Sequence, residues 1–360
     1  MTYRYGLALL VLGVCACSDS SNDANTNNST TGANNATTGS NNATTGSNNA
    51  TSASNNATSN TNNTASNGSM GPIDIKDVIF TQTDPDCGSY DNTLEAAVLD
   101  ITRDLGFDMS VVITATDTAC SLVSNNIPNH DFNDATAHFA TATSEQALTF
   151  SIPRHPSKAA TATALSQRTY DAVFLNGVPL DLLSAGCYSP NSPMADADGN
   201  VAIGCNVTSA WLLDPLGASG RFGADAHNAH TQPNGSYHYH GNPMAMFDDA
   251  PGENGSPVIG FAADGFPIYG TYFNDGSTVR KATSSYVLIA GTRPSTATDP
   301  GGTYDGTYID DYEYQAGSGD LDACNGMTVN GQYAYYVTDA YPWVLNCHSG
   351  TPDPSFNKGR

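Results

Sequence analysis

The chain has 360 residues, with 12 Lys and Arg against 35 Asp and Glu and a formal charge of −23 at pH 7. That balance excludes nucleic acid as a partner, because phosphates require cations, and it excludes adsorption to an anionic lipid surface. The 34 glycines and 19 prolines predict a fold dense in turns, and 18 tyrosines suit strands with one wet face.

Residues 1–16 read as a signal peptide. Arg4 precedes an apolar run from Leu7 to Val14 that is too short to span a bilayer. Val14-Cys15-Ala16-Cys17 resembles a bacterial lipobox, which makes Cys17 the lipidated residue. Ser18 after it fits sorting to the outer membrane. The expected location is therefore the bacterial cell envelope, with the membrane a partner through the lipid anchor only. The rest of segment 17–69 is a tether. From Ser18 to Ser69 it carries no aromatic residue and no Val, Ile, Leu or Met, and Asn-Asn-Ala recurs every seven residues from Asn34. Nothing in it can be buried, so the period is not that of a coiled coil, and a flexible chain of this length spans roughly 40 Å.

The folded body is expected from residue 70. The segment 70–155 is its N-terminal part, and the sequence leaves open whether it is a subdomain. Thr93–Phe107 predicts an amphipathic helix, with Leu94, Ala97, Val98, Ile101 and Leu105 along one stripe. Elsewhere short apolar runs alternate with turn signals, at Asp108–Thr116, Thr169–Leu180, Ser256–Tyr272, Ser285–Gly291 and Gly331–Leu345. The fold class this predicts is mainly β, a sandwich or distorted barrel of short strands with few helices, loop-rich and stapled by disulfides. Six cysteines fall in the body, Cys87, Cys120, Cys187, Cys205, Cys324 and Cys347. An even number in an exported chain implies disulfides. Sequence nearness favours Cys87–Cys120, Cys187–Cys205 and Cys324–Cys347.

Four of the eight histidines lie between positions 227 and 240. On a strand, His238 and His240 share a face about 6.6 Å apart. His227 and His230, three apart, share one side of a helical turn or tight loop. Imidazoles grouped without sulfur predict a transition-metal site for copper or zinc formed by His227, His230, His238 and His240. Asp225 is a further ligand or an acceptor that orients a ring. The structural alternative is a hydrogen-bonded seam of alternating Tyr and His. The other histidines, His130, His138, His155 and His348, are scattered and read as ordinary.

The stretch Gly235-Ser236-Tyr237-His238-Tyr239-His240-Gly241-Asn242-Pro243 resembles the signature of the YHYH-domain family of bacterial exported proteins. Gly260–Tyr272, Thr303–Gly326 and Tyr333–Pro352 resemble its other recurring blocks. The resemblance covers about Tyr170 to Pro352 and implies a YHYH domain over 156–360, without implying a reaction. Gly331–Tyr336 repeats the frame G-x-Y-x-Y of Gly235–His240, but holds Ala334 and Tyr336 at the histidine positions. The family allows histidines in that later block, so a second site is placed in doubt here. The contrast also argues that the first pair is functional.

Weaker signals are Asp196-Ala197-Asp198-Gly199-Asn200, which resembles the start of a calcium loop but lacks its distal Glu, and Asp264, a turn residue or general base. Three functions follow: a metal-binding lipoprotein that holds or delivers copper or zinc; a metal-dependent hydrolase or oxidoreductase with an open three-histidine site; and a structural or ligand-binding surface domain without metal. Any small-molecule or surface partner is unspecified by the sequence.

Overall fold

The computed structural model describes residues 71–218 and 222–359. The signal peptide, Cys17 and the tether lie outside the described residues. The body is mainly β: the described residues contain only three single-turn 3-10 segments, at Cys87–Tyr90, Ile309–Asp311 and Pro354–Phe356.

The first sheet has five strands in sequence order: β1 (Ile73–Asp74), β2 (Asn92–Asp100), β3 (Leu105–Ala115), β4 (Ala119–Ser124) and β5 (Leu148–Pro153). The helix expected over Thr93–Phe107 is instead the β2–β3 hairpin. Along β2 burial alternates, with Leu94, Ala96 and Val98 inward and Thr93, Glu95 and Ala97 outward. Ile101 and Leu105, two members of the supposed helical stripe, are about half exposed at the hairpin end. The Asp100 carboxylate holds that end by accepting from the Arg103 backbone N–H (3.0 Å) and Nε (2.7 Å). Period two won because β3 pairs with β2 along its whole length, from Asn92 opposite Ile113 to Asp100 opposite Leu105.

The second sheet has eight strands: β6 (Ala172–Phe174), β7 (Pro179–Leu180), β8 (Ala229–Thr231), β9 (Tyr237–Tyr239), β10 (Val258–Ala262), β11 (Pro267–Tyr269), β12 (Gly326–Val329) and β13 (Gln332–Tyr336). Their spatial order is β8-β9-β7-β6-β10-β11-β13-β12. Four two-stranded ribbons complete the described strands. Neither sheet closes into a barrel. Both contribute to one core, which takes in Val111, Ile113, Leu122 and Phe150 from the first and Phe174, Tyr237, Tyr239 and Phe261 from the second. The β6–β7 turn shows how closely they meet. Gly177 has φ 80°, and a Cβ there would strike the side chains of Val111 and Ser124. All six body cysteines are paired, as Cys87–Cys120, Cys187–Cys205 and Cys324–Cys347.

The eight-stranded sheet is built twice. Strands β6, β7, β8 and β9 recur as β10, β11, β12 and β13 about a two-fold relation between β6 and β10. Ala172 opposite Leu180 and Val173 opposite Pro179 match Gly260 opposite Ile268 and Phe261 opposite Pro267. The parallel contact of Tyr239 with Leu180 matches that of Tyr335 with Ile268. His230 opposite His238 and Thr231 opposite Tyr237 match Met327 opposite Ala334 and Thr328 opposite Tyr333. The turns agree in detail. Asp225 N–H donates to Ala229 O at 2.9 Å and Asp322 N–H to Gly326 O at 2.8 Å. Tyr237 and Tyr333 then donate their hydroxyls to the Asp225 and Asp322 carboxylates.

Candidate metal centre

The β8–β9 hairpin turns at Pro233-Asn234-Gly235, with Gly235 at φ 84°, a conformation glycine adopts without penalty. The hairpin register sets His230 directly opposite His238. His240 follows β9 on the same face as His238. The three rings form a triangle with centroids 4.7 Å apart on every side and planes crossing at 69° to 88°. One nitrogen from each lies within 4.8 Å of the others. Nε2 of His230 stands 3.0 Å from Nε2 of His240. A tetrahedral ion with Zn–N bonds of about 2.0–2.1 Å sets its imidazole nitrogens about 3.3 Å apart, so the group needs little adjustment to hold one.

His230 Nδ1 lies 2.7 Å from the Phe222 carbonyl, which fixes the proton there and leaves the Nε2 lone pair facing its neighbours. His238 Nδ1 leans on the Ser236 carbonyl at 3.4 Å. Burial, then the neighbouring imidazoles, hold His238 and His240 well below the usual histidine range, and burial lowers His230 as well. All three are neutral at physiological pH, the state that ligates.

The other two expected ligands stand outside this group. His227 sits in the turn before β8, on the far side of Asn228, whose φ is 57°. Its Nδ1 is 2.8 Å from the Pro243 carbonyl, and its ring stacks on His130 at 3.5 Å and 18°. The spacing of three therefore spans a turn and a strand, and sends the two rings apart. Both oxygens of Asp225 are engaged. One accepts from the His227 and Ala229 N–H groups and the other from Tyr237 Oη and the Asn133 N–H. Asp225 braces the turn that carries His230.

The three imidazoles form part of the wall of a cavity of about 400 Å³. The same wall includes Asp181, Gln232 and Lys358, which the sequence did not single out. Asp181 follows β7, beside β9, and its backbone N–H donates to Tyr239 O. Its carboxylate accepts from Gln232 Nε2 at 2.8 Å and pairs with Lys358 Nζ. Burial pushes Asp181 upward and Lys358 opposes it. Behind it, burial and the Asp181 charge push Asp171 up to about 8. No local sequence signal joins residues 181 and 358.

The remaining histidines are not all incidental. His130 is buried, its Nε2 is 2.6 Å from Tyr239 Oη, and burial with the His227 ring lowers it to about 3. His138 lies on the cavity wall. Asp196 accepts from the Asp198 and Asn200 N–H groups, the pattern of a turn. Asp264 accepts from Tyr335 Oη at 2.7 Å and the Gly350 N–H at 2.8 Å, and is a buried structural acceptor.

Two open sheets, three disulfides and a largely buried imidazole triad beside a cavity define a mainly β domain with a group that could hold a metal. The chain belongs to the family described as YHYH protein, whose model matches residues 149–350. The match begins in β5, so it takes in the last strand of the first sheet. Comparison with curated proteins and with solved structures gave no match.

Proposed function

We propose that this chain is a cell-envelope metalloprotein that holds one zinc or copper ion on His230, His238 and His240. The observation that carries the reading is the triangle of neutral imidazoles, two buried and one half-buried, with edges of 4.7 Å. Of the metal readings, the open site is better supported than a closed storage site. Three protein ligands face a cavity, and Asp225 and His227 are occupied elsewhere. An ion there would supply Lewis-acid activation of a small ligand's oxygen, and a cavity of about 400 Å³ admits a small organic molecule. Asp181 and Lys358 line the same cavity and would border such a ligand.

The test is elemental analysis of the full chain, purified without a histidine tag and offered Zn²⁺ and Cu²⁺ in turn. One ion per chain, lost in a His238→Ala, His240→Ala double variant that keeps its fold, supports the reading. Retention of neither metal after dialysis returns the triad to a structural seam. The lipid anchor is tested separately: Cys17→Ala should move the protein from the membrane to the soluble fraction, and unchanged fractionation rejects the anchor.

A further inference from the structure

The two-fold relation within the eight-stranded sheet gives the imidazole cavity a counterpart. In the first half the cavity is lined by residues at and beside Asp181, His230, His238, His240 and Gln232. Their partners in the second half are Tyr269, Met327, Ala334, Tyr336 and, in the shorter hairpin loop, Val329. A second cleft of about 450 Å³ opens there, lined by Tyr269, Val329 and Tyr336. The fold thus makes the same cleft twice and fills it with different chemistry.

The second cleft is aromatic and amide-lined. Tyr269 and Tyr336 stack at 5.6 Å and 18°, and Phe273 meets Tyr336 edge-on at 6.1 Å. Tyr272, half-buried, stands at the rim. Asn254, Asn274, Asn330 and Gln332 supply amides that both donate and accept. None of the described residues lining the cleft carries a charge, in a chain of net charge −23. Tyr336 adds the observation that calls for a ligand. Only 4% of its surface is exposed, yet it lines the cleft and its hydroxyl has no hydrogen-bond partner among the described residues. The hydroxyl oxygen is not itself buried, so solvent in the cleft reaches it, and a ligand that displaces that solvent must offer a hydrogen bond in its place.

We propose that this cleft binds a neutral saccharide. An anion finds no cation in the lining, and a cation finds no carboxylate. A purely apolar ligand would cover the cleft's amide oxygens and the Tyr336 hydroxyl without pairing them. A sugar ring presents both surfaces needed, an apolar C–H face for the aromatic rings and hydroxyls for the amides. The proposal stands apart from the metal reading, since none of the three histidines belongs to this cleft.

Calorimetric titration of the full chain with cellohexaose, chitohexaose and maltohexaose tests it. At least one hexasaccharide should bind. Tyr336→Phe, which removes only the hydroxyl, and Gln332→Ala, at the rim, should each weaken binding about tenfold, the loss expected for one hydrogen bond. The His238→Ala, His240→Ala double variant should bind the sugar as the parent does. Binding by none of the three, binding unchanged in both cleft variants, or preferential binding of a proline-rich decapeptide would each overturn the proposal.

Discussion

His230 and His238 are direct cross-strand partners, and in the second half of the same sheet that pair is Met327 and Ala334. The strand register is the same in both places, so the two sites differ in side chains and in the length of the hairpin loop beyond the paired residues. The shared register predicts that the proposed metal site can be transferred. A Met327→His, Ala334→His, Tyr336→His variant should raise the bound metal from one ion per chain to two, read by elemental analysis. A folded triple variant that still holds one ion would show that the ring geometry needs more than the shared register.

The pH dependence of metal binding follows from burial. An ordinary histidine takes up its proton near pH 6.5, and proton competition would begin there. His238 and His240 are held well below that range and His230 is lowered too, so protons compete only at more acidic pH. In the unfolded chain the same rings protonate from about pH 6.5 downward. The expected result is undiminished retention at pH 6 in equilibrium dialysis, with loss only under more acid conditions. Half-release near pH 6.5 would mean that the imidazoles are more solvated than the triad implies.

Asp171 gives a stability effect of the opposite sense. Its folded-state value, about 8, lies above the unfolded value near 3.8. The folded protein therefore binds the extra proton between those limits. The contribution is fully present below about pH 4 and is lost as pH rises through 8. Asp171→Asn keeps an acceptor for the Leu182 N–H and cannot ionise. The variant should melt above the parent at pH 9 and close to it at pH 5. Equal melting temperatures at pH 9 would place the charge elsewhere in the Asp171–Asp181 pair.

Two glycines with similar backbone angles separate strain from crowding. Gly331 has φ 83° and open space where a Cβ would go, whereas Gly177, at φ 80°, meets Val111 and Ser124 of the other sheet. Gly331→Ala should cost about 1 kcal/mol, the backbone penalty alone. Gly177→Ala should cost roughly 2–4 kcal/mol in denaturant titration, because the sheets must also move apart. Equal costs would mean that the contact between the sheets is soft.

The metal candidate was legible because it is local. A hairpin signal at Asn234-Gly235 and an alternating Tyr-His strand fix His238 and His240 on one face, and the register brings His230 to them. His227 and Asp225 misled for the same reason. Nearness in sequence said nothing about the left-handed turn at Asn228 that divides His227 from His230, or about the hydrogen bonds that saturate Asp225. Thr93–Phe107 was read at the wrong period, since Leu94 and Val98 satisfy both a helical and an alternating pattern. Only pairing with β3 decides between them. Asp181 and Lys358, 177 residues apart, carry no shared signal at all. The repeated frame G-x-Y-x-Y was visible, but the duplication behind it was not, because most of the matching residues differ in kind.

The duplicated sheet also gives the molecule its own internal control. Any property of the β8–β9 hairpin that arises from the paired backbone or from its two tyrosines is present again at β12–β13. Any property that arises from imidazole is present once. A spectroscopic or exchange difference between the paired residues of the two hairpins, measured in one sample under one set of conditions, therefore reports on the histidines and the longer loop that carries them, without a mutant and without a reference protein.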